Sequence, residues 1–201
     1  FVFMAGVLWS TVGLGIRMVD EATVWQILLY RSISLSLFLA IVIYLRSSEN
    51  LFTVVRAAGL PACIAGLALV GAYAGGIYGI QSTSVANAML LFASAPFMAA
   101  ILGWIFLREK VRKATWISIL FAMLGIGIMV QDKSTGSALL GNLAALGSAF
   151  GFAVFTVALR WGRSGEMLPA VFLSGIFAIF ITSSICPVSY THLTLPTNDQ
   201  V

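Results

Sequence analysis

Apolar residues follow one another along most of this chain without alternating with polar ones, and the polar positions gather in short stretches between the apolar runs. Seven runs, at about 1–19, 23–45, 57–80, 83–107, 114–131, 138–159 and 169–187, reach or approach twenty residues. That length lets a helix cross roughly 30 Å of hydrocarbon, and a helix is the one structure that satisfies its backbone hydrogen bonds within a single segment. A transmembrane barrel is excluded, since its strands alternate and are about half as long. The pattern predicts an all-α polytopic membrane protein, a bundle of helices joined by short connections.

Composition strengthens this reading. Of 201 residues, 60% are hydrophobic and only 9% charged, whereas a soluble domain carries about a quarter charged residues and needs them for its surface. The charges lie almost wholly in the connections, so their sign gives the orientation. One side collects eight cations (Arg46, Arg56, Arg108, Lys110, Arg112, Lys113, Arg160, Arg163), the other only Arg17 and Lys133. The first helix is therefore expected to start in the cytoplasm. The net charge of +4 follows from this bias, and basic residues spread over several helix ends do not form a nucleic-acid surface. The densest basic loop, 107–116, reads as a topology anchor in preference to a lipid-binding cluster. Cys63 and Cys186 fall in apolar runs and suggest neither a disulfide nor a metal site. No cofactor is expected, and His192, in a polar tail, is given no role.

Five runs precede the turn-rich stretch QDKSTGSA at 131–138. Five is odd, so a second copy of the unit enters the membrane from the opposite side, which makes an inverted repeat. A shift of 143 positions sets Trp9 on Phe152 and Arg17 on Arg160. The identity is weak; the support is positional, because both segments open a unit and both end in arginine.

GVLWSTVGLGIRM at 6–18, Arg31, ANAMLLFASAPFMAAILGWIFLREKV at 86–111 and WISILFAMLGIGIMV at 116–130 together resemble the EamA domain of the drug/metabolite transporter superfamily. The most specific part is the passage through Glu109 into the glycine-containing helix at Gly125. The resemblance implies ten helices in two inverted five-helix repeats, cytoplasmic termini, a bacterial inner membrane, and transport of small metabolites or drugs, often outward. On that pattern residues 1–131 are the first repeat, 138–186 the first two helices of the second, and three helices are lacking. The tail 187–201 departs from the pattern and is expected to be non-native or disordered.

Arg31 sits inside the second run, about 12 Å below its external end at 1.5 Å per residue. Facing lipid there would cost between about 3 and more than 10 kcal/mol, so the side chain is expected to face the bundle interior or a cavity. Ser10, Tyr73 and Ser148 come out at about the same depth, and Ser84, Asn87, Leu91 and Ser94 form one helical stripe through it. Arg31, Ser10, Trp9, Tyr73, Asn87, Ser94 and Ser148 are thus the candidate substrate-binding residues. Arg31 either ties helices together through carbonyls or holds an anionic group; amino acids and other zwitterions suit the second role. Pro96 is expected to kink its helix, and Glu109 to form the following turn by pairing with Arg108 or Arg112. Gly71, Gly75 and Gly79, with Gly147 and Gly151, are expected to let helices approach closely. Trp25 and Trp116 suit the membrane interface.

The acidic residues all fall in connections or helix ends, which leaves no buried proton relay and nothing to activate a nucleophile within the spans. An intramembrane enzyme is therefore not expected. The reading is a secondary transporter of small organic metabolites, working by alternating access between repeats; a non-transporting membrane scaffold or sensor is the alternative.

Overall fold

The computed structural model describes residues 2–18, 22–46, 51–131, 137–162 and 167–185. They form eight helices: α1 (Val2–Arg17), α2 (Val24–Arg46), α3 (Leu51–Ser82), α4 (Val85–Phe92), α5 (Ala95–Leu107), α6 (Lys113–Gln131), α7 (Ser137–Trp161) and α8 (Leu168–Ile185). There is no strand among the described residues. Five stretches are long and apolar enough to cross a membrane: Val24–Arg46, Val55–Ser82, Val85–Leu107, Ala138–Trp161 and Leu168–Ile185. The first and fifth expected runs are also helical, with shorter apolar segments at Gly6–Ile16 and Lys113–Ile128. The chain is an all-α polytopic membrane protein. The tail 187–201, with His192, and Cys186 lie outside the described residues, as do Lys133 and Arg163.

The helix ends follow from local chemistry. Before α2, the Gln26 amide donates to Thr23 Oγ1 at 3.4 Å and the Thr23 amide to Gln26 Oε1 at 2.9 Å, a reciprocal cap for two otherwise unpaired donors. Ser84 caps α4 by accepting from the Asn87 amide at 3.1 Å. In α3 the backbone breaks at Gly59 (φ 64, ψ −163), a conformation open essentially to glycine. Pro61 follows two residues later, where a restarting helix has no use for its missing N–H.

The fourth span is two helices. Pro96 was expected to kink one helix; the chain instead breaks at Ala93–Ser94, and Pro96 occupies the second position of α5. Ser94 Oγ turns back onto the Leu91 carbonyl at 2.6 Å and the Ser94 amide donates to the same oxygen at 3.1 Å. Both bonds cover the Leu91 carbonyl at a break that lipid could not solvate.

α7 packs along α3, the largest interface of the bundle, with α4 and α5 on its other side; α8 lies against α2 and α3. The main core is built from small residues on α3 (Ala62, Ala65, Ala72) together with Leu69, Phe155, Ala158 and Leu173. Lipid tails are as apolar as leucine, so such contacts hold by close packing and dispersion. The glycines enforce that closeness. A Cβ on Gly75 would lie 2.7 Å from the Ala144 carbonyl oxygen, one on Gly151 2.8 Å from that of Ala68, and one on Gly79 3.1 Å from the Ala145 Cβ. Gly71 and Gly147, expected in the same contact, have open space where a Cβ would be. A spacing of four residues rotates about 40° per step at 100° per residue, so a stripe of three glycines drifts off a straight neighbour. α6 stands at the edge, with Phe121, Leu124 and Ile128 exposed as lipid-facing side chains would be.

Candidate functional site

Arg31 turns inward, as expected of a charge at that depth. It lies in the wall of a cavity of about 150 Å³ to which α1, α2, α3, α4 and α7 contribute. Its guanidinium carbon is 3.6 Å from the centroid of the Tyr73 ring, a cation–π contact from α2 to α3. The stacked face leaves the in-plane donors of the guanidinium free for other partners. One of them, Nη1, is buried and has no hydrogen-bond partner.

Ser148 also lines the cavity. Its hydroxyl donates to the Ala72 carbonyl at 2.6 Å, which fixes α7 against α3 and commits the proton, while the oxygen keeps acceptor capacity. Around these groups the wall is apolar: Val12, Ile16, Ile77, Ile80, Met89 and the rings of Phe92 and Phe152. Phe92 and Phe152 meet at a centroid distance of 5.6 Å, and Phe152 meets Phe155 at 5.6 Å, so a row of aromatic rings runs from α4 into the α7 core.

Of the seven residues expected to bind substrate, the structure brings Arg31, Tyr73 and Ser148 together on this cavity. Ser10 is exposed and outside its lining, with its hydroxyl on the Val7 carbonyl at 2.7 Å. Ser94 is buried at the break between α4 and α5 and bonded to the Leu91 carbonyl of α4. Asn87 lies on α4 outside the lining, and of Trp9 only the backbone belongs to the described part. Met89, Phe92 and Phe152 also line the cavity and carry no mark of it in the sequence. In an all-apolar helix a wall residue has the same letter as a lipid-facing one; no sequence signal separates them.

Glu109 departs from expectation. Its Oε2 accepts from Arg160 Nη1 at 2.7 Å, not from Arg108 or Arg112. Arg108 closes α5 in the left-handed conformation (φ 55, ψ 32), and the Glu109 amide reaches back to the Gly103 carbonyl at 3.3 Å. This turn aims the carboxylate across to α7, where Arg160 also donates from Nη2 to the Ala99 carbonyl at 3.3 Å. The pair joins the α5–α6 connection to the C-terminal end of α7. Because its side chains are 44% and 41% exposed, solvent screens it. A double-mutant cycle with Glu109→Gln and Arg160→Gln, read by unfolding midpoints, is expected to return a coupling of about 0–1 kcal/mol.

Comparison with known proteins agrees with these features. The model of the EamA-like transporter family matches residues 1–131. The uncharacterized transporter YetK of Bacillus subtilis (strain 168) is 36% identical over 87 residues, 40% of this chain and 26% of that protein. Protein RarD of Escherichia coli (strain K12) is 26% identical over 121 residues, 58% of this chain and 39% of that protein. Solute carrier family 35 member G1 of Mus musculus is 32% identical over 95 residues, 41% of this chain and 26% of that protein. The chain thus spans well under half the length of these curated relatives. No solved structure matches it significantly.

Proposed function

Since the chain belongs to the EamA-like transporter family, we propose that it carries the solute site of a secondary transporter. In this reading the protein moves small organic metabolites outward across a bacterial inner membrane by alternating access. The observation that carries the reading is the cavity at Arg31. A guanidinium held at membrane depth for structure alone would have its donors satisfied by carbonyls or carboxylates, whereas Arg31 lines a cavity and keeps a buried Nη1 unpaired.

Two further features support it. The five helical runs before the 131–138 connection, an odd number, suit residues 1–131 as a first repeat and 138–186 as the start of an inverted copy, the construction in which one unit rocks against the other around a midplane site. The Glu109–Arg160 pair then binds the two units at one end, while the cavity lies toward the other, near Ile16, Ile27 and Ile80. Each state of an alternating-access protein needs one end closed while the other is open.

The test fills the space. Met89→Trp puts an indole into the cavity and leaves Arg31 and Tyr73 unsubstituted. In proteoliposomes holding the whole gene product that contains this chain, solute exchange is expected to fall at least tenfold, with the amount of protein inserted unchanged. Exchange at the original rate with the indole in place would remove the cavity from the transport path.

A further inference from the structure

Resting on that reading of the cavity, we infer that its solute is a singly charged organic anion, a carboxylate on an apolar body about one aromatic ring in size, and not a zwitterion or a cation. The headgroup follows from Arg31. Its ring-stacked guanidinium has a buried, unpaired Nη1, and a half-buried cation with no counter-charge among the described residues is a costly arrangement that a carboxylate, accepting two parallel N–H···O bonds, relieves. The guanidinium fork matches a planar carboxylate in a way a hydroxyl or an amide cannot.

The body follows from the walls. Isoleucine, methionine and phenylalanine side chains line the rest of the space, and a cavity of about 150 Å³ with such walls accommodates a molecule the size of benzene. Phe92 and Phe152, at 5.6 Å from each other, offer ring faces and edges to a flat solute.

The sign follows from the acids. Glu109 is the one acidic residue among the described residues, and it is engaged with Arg160 at the far end of α7. Among the described residues no carboxylate stands on the cavity wall to meet an ammonium group. The faces of Phe92 and Phe152 attract a cation, but more weakly than desolvation penalises it. A solute with both charges would satisfy Arg31 and strand its own ammonium.

The experiment is a matched series on the whole gene product in nanodiscs, with binding read by thermal shift and competition: benzoate, benzyl alcohol, benzylamine and phenylalanine share a ring and differ in headgroup. Benzoate is expected to bind at least tenfold more tightly than benzyl alcohol, and benzylamine and phenylalanine more weakly than benzoate by the same factor or more. In Arg31→Gln the advantage of benzoate over benzyl alcohol is expected to vanish while benzyl alcohol still binds, which also reports that the variant is folded. Arg31→Lys, which keeps the charge but not the fork, should retain part of the preference.

Benzylamine or phenylalanine binding as well as benzoate would overturn the assignment of class. So would a preference for benzoate that survives in Arg31→Gln. Both results leave the cavity standing as the solute site. If no member of the series binds and the Met89→Trp protein exchanges solute normally, the cavity reading itself has failed.

Discussion

Replacing Gly151 with leucine is expected to separate α3 from α7, and with them the bundle. A Cβ at this position would lie 2.8 Å from the Ala68 carbonyl oxygen and 3.0 Å from the Ala72 nitrogen. Those are backbone atoms of a helix and cannot rotate aside as a flexible side chain can. The whole interface must open, so the cost exceeds the roughly 1–3 kcal/mol of ordinary over-packing. Gly147→Leu, one turn away on the same helix, is the matched control, because no atom lies within 4 Å of a Cβ there. Yield of monodisperse protein in mild detergent, with unfolding midpoints in a denaturing detergent, reads both. Gly151→Leu should accumulate poorly and Gly147→Leu at the original level; equal behaviour of the two would mean that the helices do not meet along this line. Gly75→Leu and Gly71→Leu repeat the contrast from α3, with the first damaging and the second tolerated.

The next largest effect is expected from Phe155→Ala. Phe155 is 2% exposed and the largest fully buried side chain among the described residues. It packs among Leu69, Ala158 and Leu173 where α3, α7 and α8 converge, and its ring also meets Phe152. Truncation removes these contacts and leaves a void that helices already at glycine distance cannot close. The expected loss is about 3–5 kcal/mol, measured as a shift of the same unfolding midpoint. Because Phe155 stands directly behind Phe152, the variant should also loosen the cavity wall and weaken solute binding. Phe155→Leu, which restores most of the volume, should recover most of the stability. A loss below about 1 kcal/mol for the alanine variant would show that the site collapses freely, contrary to the packing described.

How much could be read beforehand depends on contrast. Helices were legible because long apolar runs leave no other backbone solution in lipid. Arg31 was legible because a charge among apolar residues has a cost and so a direction. Hydroxyls were a poorer guide: Ser10, Thr11 and Ser94 return their protons to carbonyls three residues earlier, so a polar letter in an apolar helix can be self-satisfied and mark no site. Ser148 differs only in that its acceptor is on another helix, 76 positions away. Glu109 shows the same limit for charge. Arg108 and Arg112 are its neighbours in sequence, but the left-handed turn at Arg108 sends it to Arg160, 51 positions on. The glycine spacing identified the right helices and could not say which glycines touch, because the drift of a stripe depends on how each helix leans. Phe92 and Phe152 had no contrast at all with the residues around them.

The two ends of α7 are fastened by different forces. From Gly141, packed on Ser82, to Ser148 at mid-helix the helix is held by van der Waals contact and one short hydrogen bond, which dissolved ions scarcely touch. At Arg160 it is held by a half-wet pair of opposite charges, whose attraction fades within a Debye length of about 8 Å at physiological ionic strength and less in brine. Raising the salt concentration therefore weakens an already weak contact at one end of this helix and leaves the rest as it was, so the ionic composition of the fluid bathing a single leaflet acts on that end alone.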